Sequence, residues 1–249
     1  MSPAPLVSVI TPVWNAAATL AETVASVRAQ SMPDWEMILV DDGSTDGARA
    51  LAEALAAAEP RLRVLGWAEN RGPAAARNAG IRAARGRYIA FLDADDLWRP
   101  DKLALQLAAM QAGARFVFSA YGRMDAGGRR LGDVPAPARL TYAELLKGNC
   151  IGCLTAIYDT AHFGKVEMPD IRRRQDYSLW LQLLARGGEA HGLARVLADY
   201  RVRPGSLSAD KLAAAGATWA IYRQTAGLGR ARAGYYLAHN LARGVLKRI

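Results

Sequence analysis

The sequence predicts an α/β fold: a mostly parallel central sheet with helices on both faces, followed by a C-terminal helical extension. Three observations carry that prediction. β-branched apolar runs alternate with helix-period stretches through the first 120 residues, the pattern of repeated βαβ units. Hydrophobic residues make up 51% of the 249, enough to bury a full core. Aspartates cluster where two of the strand-like runs end, and in an open α/β sheet ligands bind beyond the carboxyl ends of the strands.

The elements follow in order. LVSVITPV reads as the first strand, and Thr19 and Glu22 then stand in the spacing of a capping box, with Leu20, Val24 and Val27 on one helix face. WEMILV is the second strand and runs into Asp41 and Asp42. GSTDG turns into an alanine-rich helix stopped by Pro60, and LRVLGW, PAAARNAGIRAAR and RYIAFL continue as strand, helix and strand. The last of these meets Asp93, Asp95 and Asp96; PDKLALQLAAM and ARFVFSAYGRM supply another helix and strand. From about Asp125 the alternation fades. DAGGRRLGDVPAPARL, rich in glycine and proline, is expected to be a turn and an exposed loop beside the binding site. TYAELLKG and QDYSLWLQLLARG are helical, and RVLADYRVR is a late strand that returns to the sheet.

The formal net charge is +9, and residues 211–249 carry most of the excess: no acidic residue follows Asp210, while Lys211, Arg223, Arg230, Arg232, Arg243, Lys247 and Arg248 are basic. Interleaved aromatic residues give this extension the look of basic amphipathic helices suited to an anionic membrane surface. Nucleic acid and a plain solvated face are the competing readings. No apolar run approaches the ~20 residues of a membrane span, and no signal segment opens the chain, so a cytoplasmic protein is expected, peripheral to the inner face of the cytoplasmic membrane if the tail binds there. Cys150 and Cys153 have the spacing of a redox or zinc half-site but lack a second ligand pair; the alternative is two small buried hydrophobes.

Five carboxylates converging on one crevice repel one another unless a cation sits among them. An oxygen-only set suits Mg²⁺ or Mn²⁺ shared with substrate phosphates, which implies a metal-bound diphosphate. Helix capping and turn roles account for Asp96, Asp46 and Asp42 in a purely structural reading. Neither GxxxxGK[ST] nor GxGxxG follows the first strand, which argues against ATPases, kinases and dehydrogenases and leaves a nucleotide-sugar.

Four stretches, VSVITPVWNAAATLAETVASVRAQ, ILVDDGSTDG, ENRGPAAARNAGIRAARGRYIAFLDADD and RRRQDYSLWLQLL, together resemble glycosyltransferase family 2, the inverting enzymes of the GT-A fold, and within it the bacterial branch that builds lipopolysaccharide and other surface glycans. The resemblance spans residues 5–208. It implies a catalytic domain over 1–210, with nucleotide-sugar binding in 1–124 and acceptor binding in 125–210, and a separate extension over 211–249. Thr11, Pro12 and Asn15 would line the nucleotide pocket, Asp41 would accept a hydrogen bond from the base, uracil in a UDP-sugar, and Asp42 would support the loop. Arg77 would brace the nucleotide side with help from Asn78; Asp93 would reach the ribose and Asp95 the metal. Asp176 would be the general base, with little tuning of its pKa required. Where the family often has a metal-holding histidine this chain has Arg203, so Arg201 and Arg203 would grip phosphates instead. Trp98 would shape the donor pocket, while Trp180 reads as core. The acceptor would be a glycan or lipid-linked hydroxyl, and no nucleic acid is expected. A nucleotidyltransferase, or a module that binds nucleic acid or glycan without catalysis, are the alternatives; the former normally carries a glycine- and lysine-rich N-terminal loop, absent from TPVWNAAATL.

Overall fold

The computed structural model describes residues 4–171, 173–202 and 211–246. Its first half is built as expected: β1 (Val7–Val13), α1 (Leu20–Arg28), β2 (Trp35–Asp42), α2 (Ala48–Ala58), β3 (Leu62–Trp67), α3 (Pro73–Ala83) and β4 (Tyr88–Phe91). The order β3-β2-β1-β4 is parallel throughout, with Val13 opposite Asp41 and Ile10 opposite Phe91. β5 (Leu97–Trp98), α4 (Lys102–Gln111), β6 (Phe116–Met124), β7 (Arg130–Val134), β8 (Arg139–Leu140) and α5 (Tyr142–Leu146) follow. A 3₁₀ turn at Cys153–Thr155 leads to β9 (Ile157–Asp159), α6 (Thr160–Phe163), α7 (Gln175–Ala185), β10 (Ala190–Arg201), α8 (Lys211–Gln224) and α9 (Arg230–Leu246). The sheet continues β4-β9-β6-β10-β5. Since β9 is antiparallel to both β4 and β6, and β10 is parallel to β6, the strands β3, β2, β1, β4, β6 and β10 share one direction.

Strand alternation sorts the core into two layers, as a sheet covered on both faces requires. Val9, Val13, Met37 and Leu39 face α1, α2 and α4 through Leu20, Val24, Ala52, Leu103 and Leu107. Ile10, Ile38, Val40 and Phe91 face α3, α7 and the C-terminal helices through Ile81, Leu179, Trp180, Ile221 and Tyr222. Trp180 is fully buried, its ring 5.8 Å from that of Phe91 and 5.2 Å from that of Phe116.

The structure corrects three expectations. Residues 125–140 are not a loop: Asp125 Oδ1 accepts from the Gly127 and Arg129 amides to turn the chain, β7 pairs with β6, and β8 pairs with β10. β7 is an edge strand exposed along most of its length, so it needs no apolar alternation and shows none. Thr19 does not cap α1: its hydroxyl donates to the Ala94 carbonyl at 2.9 Å, and Glu22 pairs with Arg201. The capping box forms instead at Thr141 and Glu144. Finally, α8 and α9 are no separate extension, because Ile221, Tyr222 and Ala233 are buried in the core beside α7 and the Tyr222 hydroxyl meets that of Tyr177 at 3.2 Å.

Trp180→Ala should cost about 3–5 kcal/mol, the usual range for a buried large aromatic replaced by alanine. Equilibrium urea unfolding checks this, with a lowered midpoint and an unchanged slope expected.

Candidate active site

Because β2, β1 and β4 lie side by side and parallel, the segments leaving their C-terminal ends meet along one edge of the sheet. Here Thr11 is fully buried with its hydroxyl unpartnered. Pro12 follows it, partly buried, in β1. Asp41 is 1% exposed; Oδ1 has no partner, and Oδ2 lies 3.9 Å from the Arg49 guanidinium. A buried carboxylate oxygen without a donor is costly and marks a place where a ligand N–H fits. Gly66 sits against this residue, since a Cβ there would collide with the Asp41 carbonyl. Asp42 holds the loop into α3, taking the Trp67 indole N–H at 2.7 Å and the Arg71 and Gly72 amides at 2.7 and 2.8 Å. Asp46 bonds the amides of Ala17 and Ala48, which keeps its carboxyl below the usual range.

Asn15 is a brace rather than simple pocket lining. In the left-handed region at φ 48°, it accepts from the Thr45 amide at 2.8 Å and donates its own amide to Ser44 Oγ, stitching the loop after β1 to that after β2. Beside it stands Trp14, 58% exposed at the end of β1. A strand of core residues that ends in a solvent-exposed tryptophan was a signal in the sequence, and the sequence reading missed it.

The loop after β4 carries the acidic cluster. Arg77, 6% exposed on α3, donates to Asp93 Oδ1 at 2.5 Å, and its Nε has no partner. The Asp96 carboxyl is pushed well up by burial and by the charges of Asp93 and Asp95. Asp95 is partly buried. Arg201 is not a phosphate grip. It is 5% exposed, its amide donates to Asp96 Oδ1, and its guanidinium reaches the Asp95 carbonyl at 2.8 Å, the Ala126 carbonyl at 2.9 Å and Glu22 at 2.7 Å. These bonds clasp the acidic loop between α1 and the β6–β7 turn. Arg203 lies outside the described residues.

Asp176 occupies the first turn of α7, after Arg174 in the left-handed region at φ 59°. Burial pushes its carboxyl above the ordinary aspartate value; Arg77, the Tyr177 amide and Arg174 pull it down, and Asp93 pushes it up. The mutual influence of Asp176, Arg77 and Asp93 brings the base candidate into the same crevice as the acidic loop. Cys153 packs partly buried against the core; burial pushes its thiol up, with the charge of Arg77 opposing and those of Asp93 and Asp176 adding to the shift. Asn78 does not assist Arg77. Its amide exchanges two 2.8 Å hydrogen bonds with the Met168 backbone and so pins to α3 the segment leading to α7. Trp98 is 3% exposed and donates its indole N–H to the Leu154 carbonyl at 2.8 Å, so it supports the crevice from behind and does not line the donor pocket. The histidines contact Phe163, Glu189 and Tyr235, none of them part of this site.

The sheet order and the helices on both its faces are those of the GT-A fold. The profile of "Glycosyl transferase family 2" matches residues 8–157, more than half of the chain. The chain is 46% identical over 222 residues to the putative teichuronic acid biosynthesis glycosyltransferase TuaG of Bacillus subtilis (strain 168), covering 88% of each chain. It is 32% identical over 244 residues to the UDP-Glc:alpha-D-GlcNAc-diphosphoundecaprenol beta-1,3-glucosyltransferase WfgD of Escherichia coli, covering 97% of this chain and 94% of that one. Among solved structures, the mannosyltransferase PcManGT from Pyrobaculum calidifontis, in complex with GDP-Man and Mn²⁺, superposes with a TM-score of 0.73 at 21% identity, covering 95% of this chain and 70% of that one. The chain belongs to glycosyl transferase family 2 and is a glycosyltransferase.

Arg201→Met should lower the stability of the ligand-free protein by about 2–3 kcal/mol, because two carbonyls and a carboxylate lose charge-assisted bonds. A residue that served only to hold phosphate would leave urea unfolding without ligand unchanged, so that result would refute the clasp.

Proposed function

We propose that this enzyme transfers a sugar from a nucleotide-sugar, most simply a UDP-sugar, with inversion to a hydroxyl of a bacterial surface glycan or its lipid-linked precursor. The observation that carries the reading is the placement of Asp176, half-buried in the first turn of α7, where burial raises its carboxyl and the charges of Arg77 and Asp93 act on it. The names of the relatives support the substrate class: one concerns teichuronic acid biosynthesis, the other a UDP-Glc donor and a diphosphoundecaprenol acceptor.

On this reading the unpartnered Asp41 Oδ1 accepts an N–H of the base, Trp14 offers the base a flat apolar face, and Asp93, oriented by Arg77, receives the ribose hydroxyls. The acceptor hydroxyl attacks the anomeric carbon from the side opposite the diphosphate. Its oxygen bonds to that carbon, its proton passes to Asp176, and the bond to the diphosphate oxygen breaks, releasing the nucleoside diphosphate. The raised affinity of Asp176 for a proton suits it to the task.

The fit of a divalent ion rests on the donor set. Among the described residues no group of three or more histidine, cysteine or acidic side chains is arranged to hold a metal alone. Mg²⁺ commonly takes only one or two protein carboxylates and completes its shell with phosphate oxygens and water, and the charges of Asp93 and Asp95, which add to burial in raising Asp96, are ones a cation relieves. Asp95, with Asp93 beside it, would hold Mg²⁺ or Mn²⁺. When bound, the ion neutralises charge that develops on the departing diphosphate.

Asp176→Asn should reduce kcat by roughly 10²–10⁴-fold without destabilising the fold. The sign follows from linkage: the folded-state pKa is raised, so the folded protein holds the proton more tightly, and stability falls as pH rises from the unfolded pKa through the folded one. Removing the titration leaves the Asn variant as stable at neutral pH or more so, whereas loss of a helix-capping aspartate would lower the melting temperature. In the parent enzyme the acid limb of kcat/KM should lie above the ordinary aspartate value. A limb at or below that value, or an active Asn variant, would refute the assignment.

No helix among the described residues is long and apolar enough to cross a membrane. The exposed face of α9, with Arg230, Arg232, Tyr235 and Leu241, suits an anionic lipid surface and would hold the crevice near a lipid-linked acceptor. Because α8 and α9 complete the core, the informative variant is Arg230→Glu with Arg232→Glu in the full chain. It should lose sedimentation with vesicles containing phosphatidylglycerol while keeping its melting temperature, and retained sedimentation would exclude this face. Metal-independent, salt-sensitive binding to DNA would favour a nucleic-acid role for it instead.

A further inference from the structure

Asp176 stands on a helix turn that the preceding residue does not cap. Arg174, in the left-handed region at φ 59°, offers α7 no side-chain cap. The first turn of a helix leaves backbone N–H groups without partners inside the helix, so it frays unless neighbouring elements hold it.

The neighbours that hold it are the helices on either side. Both residues that follow Asp176 are bonded across to them. Ser178, fully buried, and Thr225, which directly follows α8, join their hydroxyls at 2.9 Å. The Tyr177 hydroxyl donates to the Leu145 carbonyl at 2.9 Å and lies 3.2 Å from the hydroxyl of Tyr222 on α8, which donates in turn to the Leu146 carbonyl. Those two carbonyls belong to the last turn of α5, where the helix has no further amides to bond them, and the two tyrosines supply the missing donors. Asn240 of α9 also bonds the Tyr222 hydroxyl, and the rings of Tyr222 and Tyr236 are 6.2 Å apart, so α9 backs α8 at the same level.

Helical geometry gives α7 two sides. Asp176 and Trp180, four residues apart, share a face, and Trp180 packs its ring 5.2 Å from that of Phe116 in the sheet. Ser178 is turned by roughly 160° from Asp176 about the helix axis, and its partner Thr225 lies on that opposite side. The second turn of α7 is therefore anchored to the sheet by Trp180, while the first turn, which carries Asp176, is held by Tyr177 and Ser178 against α5 and α8.

We propose that Tyr222 and Thr225 are positioning residues, through which α8 fixes the first turn of α7 and aims the Asp176 carboxylate at the acceptor hydroxyl. The proposal rests on the transferase reading and deepens it by giving the C-terminal helices a part in the chemistry. Donor binding draws on Asp41, Arg77 and Asp93, which stand on other elements, so loss of these contacts slows transfer and leaves the donor site as it was.

The test uses full-length Tyr222→Phe, Thr225→Val and Thr225→Ser, each assayed well below its own melting temperature. Turnover is read as UDP released from UDP-glucose or UDP-N-acetylglucosamine in Mn²⁺, with water as the acceptor. In Tyr222→Phe and Thr225→Val, kcat should fall by roughly 10–10²-fold, the scale of a misplaced catalytic group, with the donor KM and the Kd for UDP each within about twofold of the parent. Thr225→Ser keeps the hydroxyl and should keep kcat within about twofold. Amide exchange should quicken over residues 175–180 and stay unchanged in β1 and β2 in the two slow variants. Thr225 is only partly buried, so its pair of variants carries the test if Tyr222→Phe does not fold. An unchanged kcat in either folded variant, a fall in kcat matched by an equal rise in KM or in the UDP Kd, or a slow Thr225→Ser would each overturn the proposal alone. A parent enzyme that releases UDP from neither donor would remove the transferase reading and this proposal with it.

Discussion

A guanidinium withdrawn from water is tolerable only where anions surround it, and anions crowded together are tolerable only around a cation. Arg77 and its neighbours meet both conditions at once. The side chain is buried on α3 and donates to Asp93, and its charge is felt by Asp176 on α7 and by the thiol of Cys153. Three segments far apart in the chain therefore share one counter-charge. The pair itself adds little net stability once desolvation is counted, but the removal of either partner would leave an uncompensated charge indoors, worth several kcal/mol. The arrangement of the crevice follows from that asymmetry.

A second arginine does the same work for the backbone. Arg201 approaches from the far end of the chain and fixes main-chain carbonyls of the acidic loop and of the β6–β7 turn, so Asp93 and Asp95 project from a loop whose path is set elsewhere. This division between side chains that face the ligand and side chains that hold the loop explains which parts of the site were legible in sequence. Asp41, Asp93 and Asp176 stand at or just beyond the ends of elements whose periodicity is plain, and Arg77 lies within one, so their edge of the sheet could be read. The first four sheet strands were legible for the same reason.

The rest depended on contacts that local sequence does not encode. Arg201 and Asn78 are ordinary polar residues in sequence; what turns the first into a clasp and the second into a pin is a partner 106 or 90 positions away. Trp98 lies between two motif aspartates and a helix, which made it look like a loop residue facing substrate, yet a two-residue pairing with β10 turns it into the core. β7 and β8 escaped notice because edge strands satisfy their backbone without an apolar face. The C-terminal helices seemed detachable because their charge is conspicuous, while the residues that dock them, Ile221, Tyr222 and Ala233, are spread thinly among alanines and arginines.

Backbone strain gives the same division a measure. The two non-glycine residues with positive φ among the described residues, Asn15 and Arg174, both sit in segments that border the crevice. Each costs of order 1–3 kcal/mol and persists only if its surroundings leave no alternative. Asn15 is fixed by Ser44 and Thr45, so the loop after β1 cannot relax without releasing the loop after β2. Arg174 is fixed by the docking of the helix that follows, where Tyr177 bonds the Leu145 carbonyl and Trp180 is packed against Phe91 and Phe116. Burial of one such aromatic contributes about as much as the strain costs. The cores on the two faces of the sheet thus hold, at its C-terminal edge, backbone shapes and buried charges that the edge could not sustain alone, and the crevice inherits its geometry from packing a full layer away.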